Sequence, residues 1–203
     1  MTDKTHWNNI YNKKNPHEVS WYQPTPNISL TLIESLKLSK NDSIIDIGGG
    51  ASTFVDNLLK KQYEKVTVFD LSENALNHSR ERLNEESDKI VWVVGDITGH
   101  KFEKKYKVWH DRAVFHFLTT PEHQKKYIER LENFLESKGY LIISTFAEDG
   151  PLKCSGLEIV RYSKEELINK MPDNLNLIQF QKETHISPAG KEQRFNYWVF
   201  QKR

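Results

Sequence analysis

From Ser43 to Phe146, short apolar runs alternate with stretches of helical periodicity. "SIIDI", "KVTVFDLS", "KIVWVVGD", "YKVWHDR" and "YLIISTF" read as strands. Helix patterns fall between them: Phe54, Val55, Leu58 and Leu59 form one apolar face, and Ala75, Leu76 and Leu83 another. Strands that alternate with helices build a mostly parallel sheet with helices on both faces, a doubly wound α/β fold. Ser72 caps the second of these helices. In "TPEHQKKYIERLENFLESKG", Thr120 caps a long helix, Pro121 starts it and Gly139 ends it. The pattern then changes. Ser163 and Glu166 form a capping box for a helix that stops before Pro172. Two strand-like runs, Asn176–Ile186 and Arg194–Gln201, are joined by "SPAG" and should pair as an antiparallel hairpin.

Ahead of the alternation lie two expected helices. One covers about Lys4 to Lys14, with Trp7, Ile10 and Tyr11 on one face. The other starts at Thr25-Pro26, a capping residue followed by proline at the first helical position, with Leu30, Ile33 and Leu36 inward. The aromatic loop "EVSWYQPTP" joins them.

Composition narrows the function. The chain has 203 residues, with 29 Lys+Arg against 28 Asp+Glu, so no basic excess points to nucleic acid. The single cysteine, Cys154, excludes an internal disulfide framework and a Cys-only zinc site. No metal is expected. No apolar leader and no run of about 20 apolar residues is visible, so no membrane partner and a cytoplasmic location are expected.

The chemistry starts at "DIGGGAS". Glycines at a strand-to-helix turn let backbone approach a ligand. A dinucleotide loop reads G-x-G-x-x-G, but the third position here is Thr53. Asp46, two residues before Gly48, repels a pyrophosphate and attracts an ammonium. Asp70 ends the second strand, where an acid suits the two hydroxyls of a ribose. Asp96, in "VVGDIT", can accept from the exocyclic amine of a purine. Amino acid, ribose and adenine together describe S-adenosylmethionine.

On these residues the chain resembles the class I S-adenosylmethionine-dependent methyltransferases, over roughly residues 40 to 203. "IIDIGGGAS" is similar to their first motif, with Ser52 in place of the third glycine. "VTVFDLS", "VGDIT" and "YKVWHDR" are similar to the later ones. The resemblance implies a Rossmann-like seven-stranded sheet of order 3-2-1-4-5-7-6, the last strand antiparallel. It implies one methyltransferase domain over 1–203, with a helical, aromatic lid at 1–37 and a cofactor-binding core at 38–203. Cofactor contacts are implied for Asp46, Gly48, Gly49 and Gly50, for Asp70 and Leu71, for Asp96 and Ile97, and for Asp111. Trp21, implied as a cofactor contact, reads with Tyr22 and Gln23 either as a cover over the sulfonium, since aromatic faces attract cations, or as an anchor of the N-terminal segment on the core.

The methyl acceptor is expected beyond the carboxyl end of strand four, at "HDRAVFHFL". Strand alternation turns His110 away from Asp111, which makes Asp111 the better site candidate. His116 reads either as a general base or as a packed histidine. Arg112 either binds an anionic acceptor or pairs with a carboxylate such as Asp111. Phe115 and Tyr22 are candidate substrate contacts, and Cys154 reads as a passive thiol. "WHDRAVFHFL" is similar to the aspartate-arginine-small-residue turn of thiopurine and tellurite-resistance type enzymes, which implies a small-molecule acceptor. Asp111-Arg112-Ala113-Val114 is also similar to the aspartate-lysine-glycine-threonine motif of a lysine methyltransferase group, and a non-catalytic sensor is a further alternative. A monomer or weak dimer is expected.

Overall fold

The computed structural model describes residues 4–203. The helices are α1 (Lys4–Lys13), α2 (Asn27–Ser35), α3 (Phe54–Lys60), α4 (Glu73–Leu83), α5 (Pro121–Phe134) and α6 (Lys164–Ile168). The first five strands are β1 (Ser43–Ile47), β2 (Lys65–Asp70), β3 (Val91–Val94), β4 (Tyr106–Arg112) and β5 (Leu135–Phe146). A two-residue ladder follows, β6 (Lys153–Cys154) with β7 (Leu157–Glu158), and then β8 (Leu175–Ile186) and β9 (Glu192–Lys202). The main sheet runs β3-β2-β1-β4-β5-β9-β8. With the small ladder set aside, this is the expected order 3-2-1-4-5-7-6. β1 to β5 are parallel, and β9 pairs antiparallel with both β5 and β8.

Alternation along the strands divides the core in two. Ile44, Val68, Val108 and Ile142 pack on one face with Phe54, Leu58 and Leu76. Ile45, Phe69, Trp109 and Ile143 pack on the other with Tyr127 and Leu131. The central strands β1, β2 and β4 are buried on both sides, as a doubly wound sheet requires, and the edge strands β3 and β8 are more open. Full burial of such a side chain contributes about 1.5–3 kcal/mol. Among the described residues, no helix is long and apolar enough to cross a membrane.

Three boundaries differ from the sequence pattern. α2 begins at Asn27, so Pro26 occupies the cap and not the first helical position. α5 ends at Phe134, and Leu135 already pairs with Tyr106 at the start of β5. Gly139 therefore caps no helix. It is needed because a Cβ there would lie 2.8 Å from the Glu136 carbonyl and 3.0 Å from that of Lys107. The loop after β5 also has structure of its own: Ser155 and Gly156, both at positive φ, turn β6 into β7.

Candidate active site

β1, β2 and β4 end side by side, with Ile47 opposite Phe69 and Asp111. The glycine turn leaves β1 there. Gly48 sits at φ +69, and its amide and that of Gly49 donate to the Phe69 carbonyl at 2.7 and 3.2 Å. A Cβ at Gly48 would overlap the Val114 side chain. One at Gly49 would lie 2.5 Å from Asp46 Oδ2, and one at Gly50 2.8 Å from Asp70 Oδ2. The bare backbone thus makes room for the two carboxylates that sit beside it.

A cavity of about 110 Å³ opens over these strand ends. Its β2–β3 side is lined by Phe69, Asp70, Leu71, Gly95, Asp96 and Ile97. Its β4–β9 side is lined by Arg112, Ala113, Val114, Phe117, Cys154 and Phe195. Asp70 Oδ1 accepts from the Ser72 amide at 2.7 Å. Burial pushes the Asp70 carboxyl up to about 7, and the Asp46 charge adds to this. Asp96 Oδ1 accepts from the Thr98 amide and hydroxyl at 2.8 and 2.7 Å. Two acids on one wall, each held by its own turn, fit a ligand that presents hydroxyls and an amine.

The N-terminal segment forms the roof. Trp7, Tyr11 and Trp21 line the cavity. Trp7 meets Trp21 and Phe117 edge-on, with ring centres 5.8 and 5.1 Å apart. The Trp21 indole donates to the Tyr11 hydroxyl at 3.3 Å. α1 is tied down where the Ser72 hydroxyl donates to Asn8 Oδ1 at 2.7 Å.

A smaller cavity of about 40 Å³ is lined by Asp46, Gly48, Gly49, Tyr22, His110 and Arg112, among others. Arg112 and Trp21 line both cavities. Arg112 does not pair with Asp111. Its Nε donates to the Tyr197 hydroxyl at 2.9 Å and its Nη1 to the Trp21 carbonyl at 3.0 Å. The guanidinium lies 5.0 Å from the Phe195 ring centre. Its Nη2 is buried without a hydrogen bond, 3.9 Å from Glu183 Oε2. Glu183 itself accepts from Gln23 Nε2 and the Tyr197 hydroxyl, at 2.7 and 2.8 Å.

Several residues expected at the site lie elsewhere. Asp111 is fully buried and lines neither cavity. Its Oδ2 accepts from the Tyr127 hydroxyl at 2.6 Å and its Oδ1 from the Val114 amide at 2.7 Å. Burial pushes it up to about 6 in spite of those bonds. It pins the turn that carries Ala113 and Val114 into the cavity. His110, set aside in its favour, lines the smaller cavity. His116 is also fully buried outside both cavities, and burial with the nearby Arg112 charge drives it down to about 3. Its Nδ1 accepts from the Phe146 amide at 3.3 Å, so it is a packed histidine and not a base at the site. Phe115 packs between Tyr127 and Tyr162, and Phe117 takes the cavity wall in its place. Gly50 packs against Asp70 and lines neither cavity. Leu71, Ile97, Asp96, Trp21 and Tyr22 do line cavities. Cys154 is a wall residue whose thiol is pushed up to about 12 by burial, which keeps it protonated and unreactive. Trp7 lies in the expected aromatic lid and Phe117 in the expected acceptor stretch, whereas Phe195 carries no signal in sequence, because buried aromatics look alike until the fold says which of them face a void.

Comparison with known proteins fits this arrangement. Residues 38–202 match the family described as a methyltransferase domain. Malonyl-[acyl-carrier protein] O-methyltransferase 2 of Ilyobacter polytropus is 24% identical over 108 residues, 53% of this chain and 40% of that protein. The chain thus spans less than half the length of that relative. Human EEF1A lysine methyltransferase 2 is 21% identical over 191 residues, 87% of this chain and 75% of that protein. Among solved structures, the N-methyltransferase NodS of Bradyrhizobium japonicum, in complex with S-adenosyl-L-homocysteine, superimposes with a TM-score of 0.71 at 16% identity, covering 98% of this chain and 99% of that one. With this match over most of its length and the seven-stranded fold, the chain belongs to the class I S-adenosylmethionine-dependent methyltransferase family.

Proposed function

We propose that the protein transfers a methyl group from S-adenosylmethionine, by in-line displacement, to a small-molecule acceptor that carries an anionic group. The observation behind this is the distribution of charge around the larger cavity. Both acids, Asp70 and Asp96, line the β2–β3 side, and the cation among the described lining residues, Arg112, lines the β4–β9 side. The residues fit the cofactor. Asp70 would take the ribose hydroxyls and Asp96 the exocyclic amine of the adenine. Asp46, in the smaller cavity, would take the ammonium. When bound, S-adenosylmethionine supplies an electrophilic methyl and leaves as a neutral thioether, so the sulfur needs no acid.

The remaining work falls to the chain. Trp7, Trp21, Phe117 and Phe195 wall off water and hold the acceptor at the methyl, and such alignment supplies several kcal/mol. The Nη2 of Arg112, 3.9 Å from Glu183 Oε2 and without a hydrogen bond, would take a carboxylate or another anion of the acceptor. Among the described lining residues of the β4–β9 side, none is a carboxylate or an imidazole. An acceptor there has to arrive with a free lone pair at its attacking atom. In this reading, the described part of the expected lid, residues 4–37, covers the site, and residues 1–3 lie outside the described residues.

A protein lysine acceptor is the second reading, supported by the alignment with EEF1A lysine methyltransferase 2 over 87% of the chain. A substrate ammonium wants a nearby carboxylate, and Glu183 is already engaged by Gln23 and Tyr197. The test uses methyl-labelled S-adenosylmethionine with a panel of small carboxylates and thiolates beside a panel of proteins. Label in the small anions is expected. Arg112→Gln should then raise the acceptor KM by about 10-fold or more, the value of one charge-assisted hydrogen bond of about 1.5–3 kcal/mol. Label confined to protein lysines would replace this reading with the second.

A further inference from the structure

Asp46 does not stand alone. It lies opposite His110 in the β1–β4 register, and His110 Nδ1 is 2.6 Å from Asp46 Oδ1. The other ring nitrogen, Nε2, is 2.9 Å from the hydroxyl of Ser29, in the first turn of α2. The imidazole stacks on Phe54, with ring centres 4.2 Å apart and planes at 29°. Asp46, His110 and Ser29 are each no more than 3% exposed, and all three line the smaller cavity.

The carboxylate fixes the direction of one hydrogen bond, and the state of the ring sets the other. A carboxylate only accepts, so Nδ1 carries a proton and donates to Asp46. In the neutral ring, Nε2 then accepts from the Ser29 hydroxyl. Ser29, His110 and Asp46 therefore form a directed chain that ends on one carboxylate oxygen. The other oxygen, Oδ2, lies over Gly49, at the place where any side chain on residue 49 would intrude. Asp46 also sits close enough to Asp70 to raise the latter's affinity for a proton. Without a partner on Oδ1, the Asp46 side chain would be free to turn away, and its other oxygen would no longer face an ammonium.

We propose that His110 and Ser29 are positioning residues for the cofactor: they anchor one oxygen of Asp46 and aim the other at the ammonium of the methionyl end. This rests on the reading that Asp46 faces that ammonium. Because Ser29 belongs to α2, which directly follows the aromatic roof, the chain also links the roof-bearing segment to the floor of the site.

The test compares two ligands by calorimetry. S-adenosylhomocysteine carries the ammonium, whereas 5′-methylthioadenosine has the same nucleoside and sulfur but no amino-acid end. His110→Phe keeps the stacking on Phe54 and removes both hydrogen bonds. His110→Gln keeps a polar group near Ser29 and loses the donor to Asp46. His110→Asn keeps a donor at the Nδ1 position. The Phe and Gln variants should bind S-adenosylhomocysteine at least 10-fold more weakly, and the Asn variant should recover to within about threefold of the wild type. Ser29→Ala should shift affinity in the same direction by a smaller factor. Methylthioadenosine affinity should be the same in every variant. Unchanged S-adenosylhomocysteine affinity in the Phe and Gln variants overturns the proposal, and so does an equal loss for both ligands, which marks a merely structural role. Asp46→Asn separates the two layers. If it leaves S-adenosylhomocysteine affinity unchanged, the reading of Asp46 falls as well. If it weakens binding while the His110 variants do not, only the positioning role falls. Should His110→Phe fail to fold, the Gln, Asn and Ser29→Ala variants still decide.

Discussion

Asp70→Ala is expected to weaken S-adenosylhomocysteine binding by at least tenfold, or about 1.4 kcal/mol. Asp70 stands at the end of β2 with its Oδ1 fixed by the Ser72 amide and its Oδ2 over Gly50. In the proposed reading, a carboxylate held in this way would accept from both hydroxyls of the ribose. Each hydrogen bond to a charged group contributes about 1.5–3 kcal/mol, so tenfold is the lower bound for losing two. Adenosine affinity should fall in parallel, because the lost contacts are to the ribose. Calorimetric titration of wild type and variant with both ligands measures this, and unchanged affinity would remove the ribose assignment.

The same carboxylate makes binding depend on pH. Burial pushes Asp70 up to about 7 without ligand, so below that pH the proton must leave before both hydroxyls can donate. S-adenosylhomocysteine affinity should therefore rise as pH increases toward about 7 and level off above it. Asp70→Asn should flatten this profile. The ligand-free protein shows the opposite sign. Asp70 and Asp111 both hold protons more tightly folded than unfolded. Their contribution to stability is complete below the unfolded carboxylate range and is lost as pH rises through about 6 to 7. Thermal unfolding across pH, with and without ligand, reads both trends.

The second large effect concerns Asp111, and it separates catalysis from architecture. Asp111→Ala strands the Tyr127 hydroxyl and the Val114 amide inside the protein. Each buried group left without its partner costs about 1–3 kcal/mol. At about 2–4 °C per kcal/mol for a chain of this size, the melting temperature should fall by roughly 10 °C. Asp111→Asn keeps the shape and one acceptor oxygen. It should lose less stability and keep kcat within a few fold. A catalytic carboxylate would lose orders of magnitude in kcat on the same change, so melting curves and turnover of the two variants together tell a structural carboxylate from a reacting one.

Much of this was legible because parallel strands impose order. Asp46, Asp70 and Asp96 fall at or just past strand ends, and strand ends are where a doubly wound sheet gathers its ligand contacts. The hairpin of β8 and β9 was readable from its turn residues. The acceptor side was not, for local and topological reasons. Strand alternation stops being a guide after Arg112, because Ala113 takes φ +74 and redirects the chain. Phe115 and His116 consequently turn inward, and Phe117 turns to the cavity. A non-glycine residue at positive φ leaves no mark in sequence. Phe195 reaches the site only because β9 inserts next to β5, a pairing between segments far apart in the chain. Arg112 finds Glu183 in place of its neighbour Asp111 for the same reason.

The ties on the segment from Ser20 to Gln23 bear on how the enzyme is made. Gln23 is held by Glu183 and the Ser20 carbonyl by His185, partners 160 and 165 residues further along. During synthesis this aromatic stretch is made well before its anchors, which follow 160 and 165 residues later. The aromatic roof therefore gains these anchors only after translation has passed β8, and the site cannot take its final shape before that strand is made.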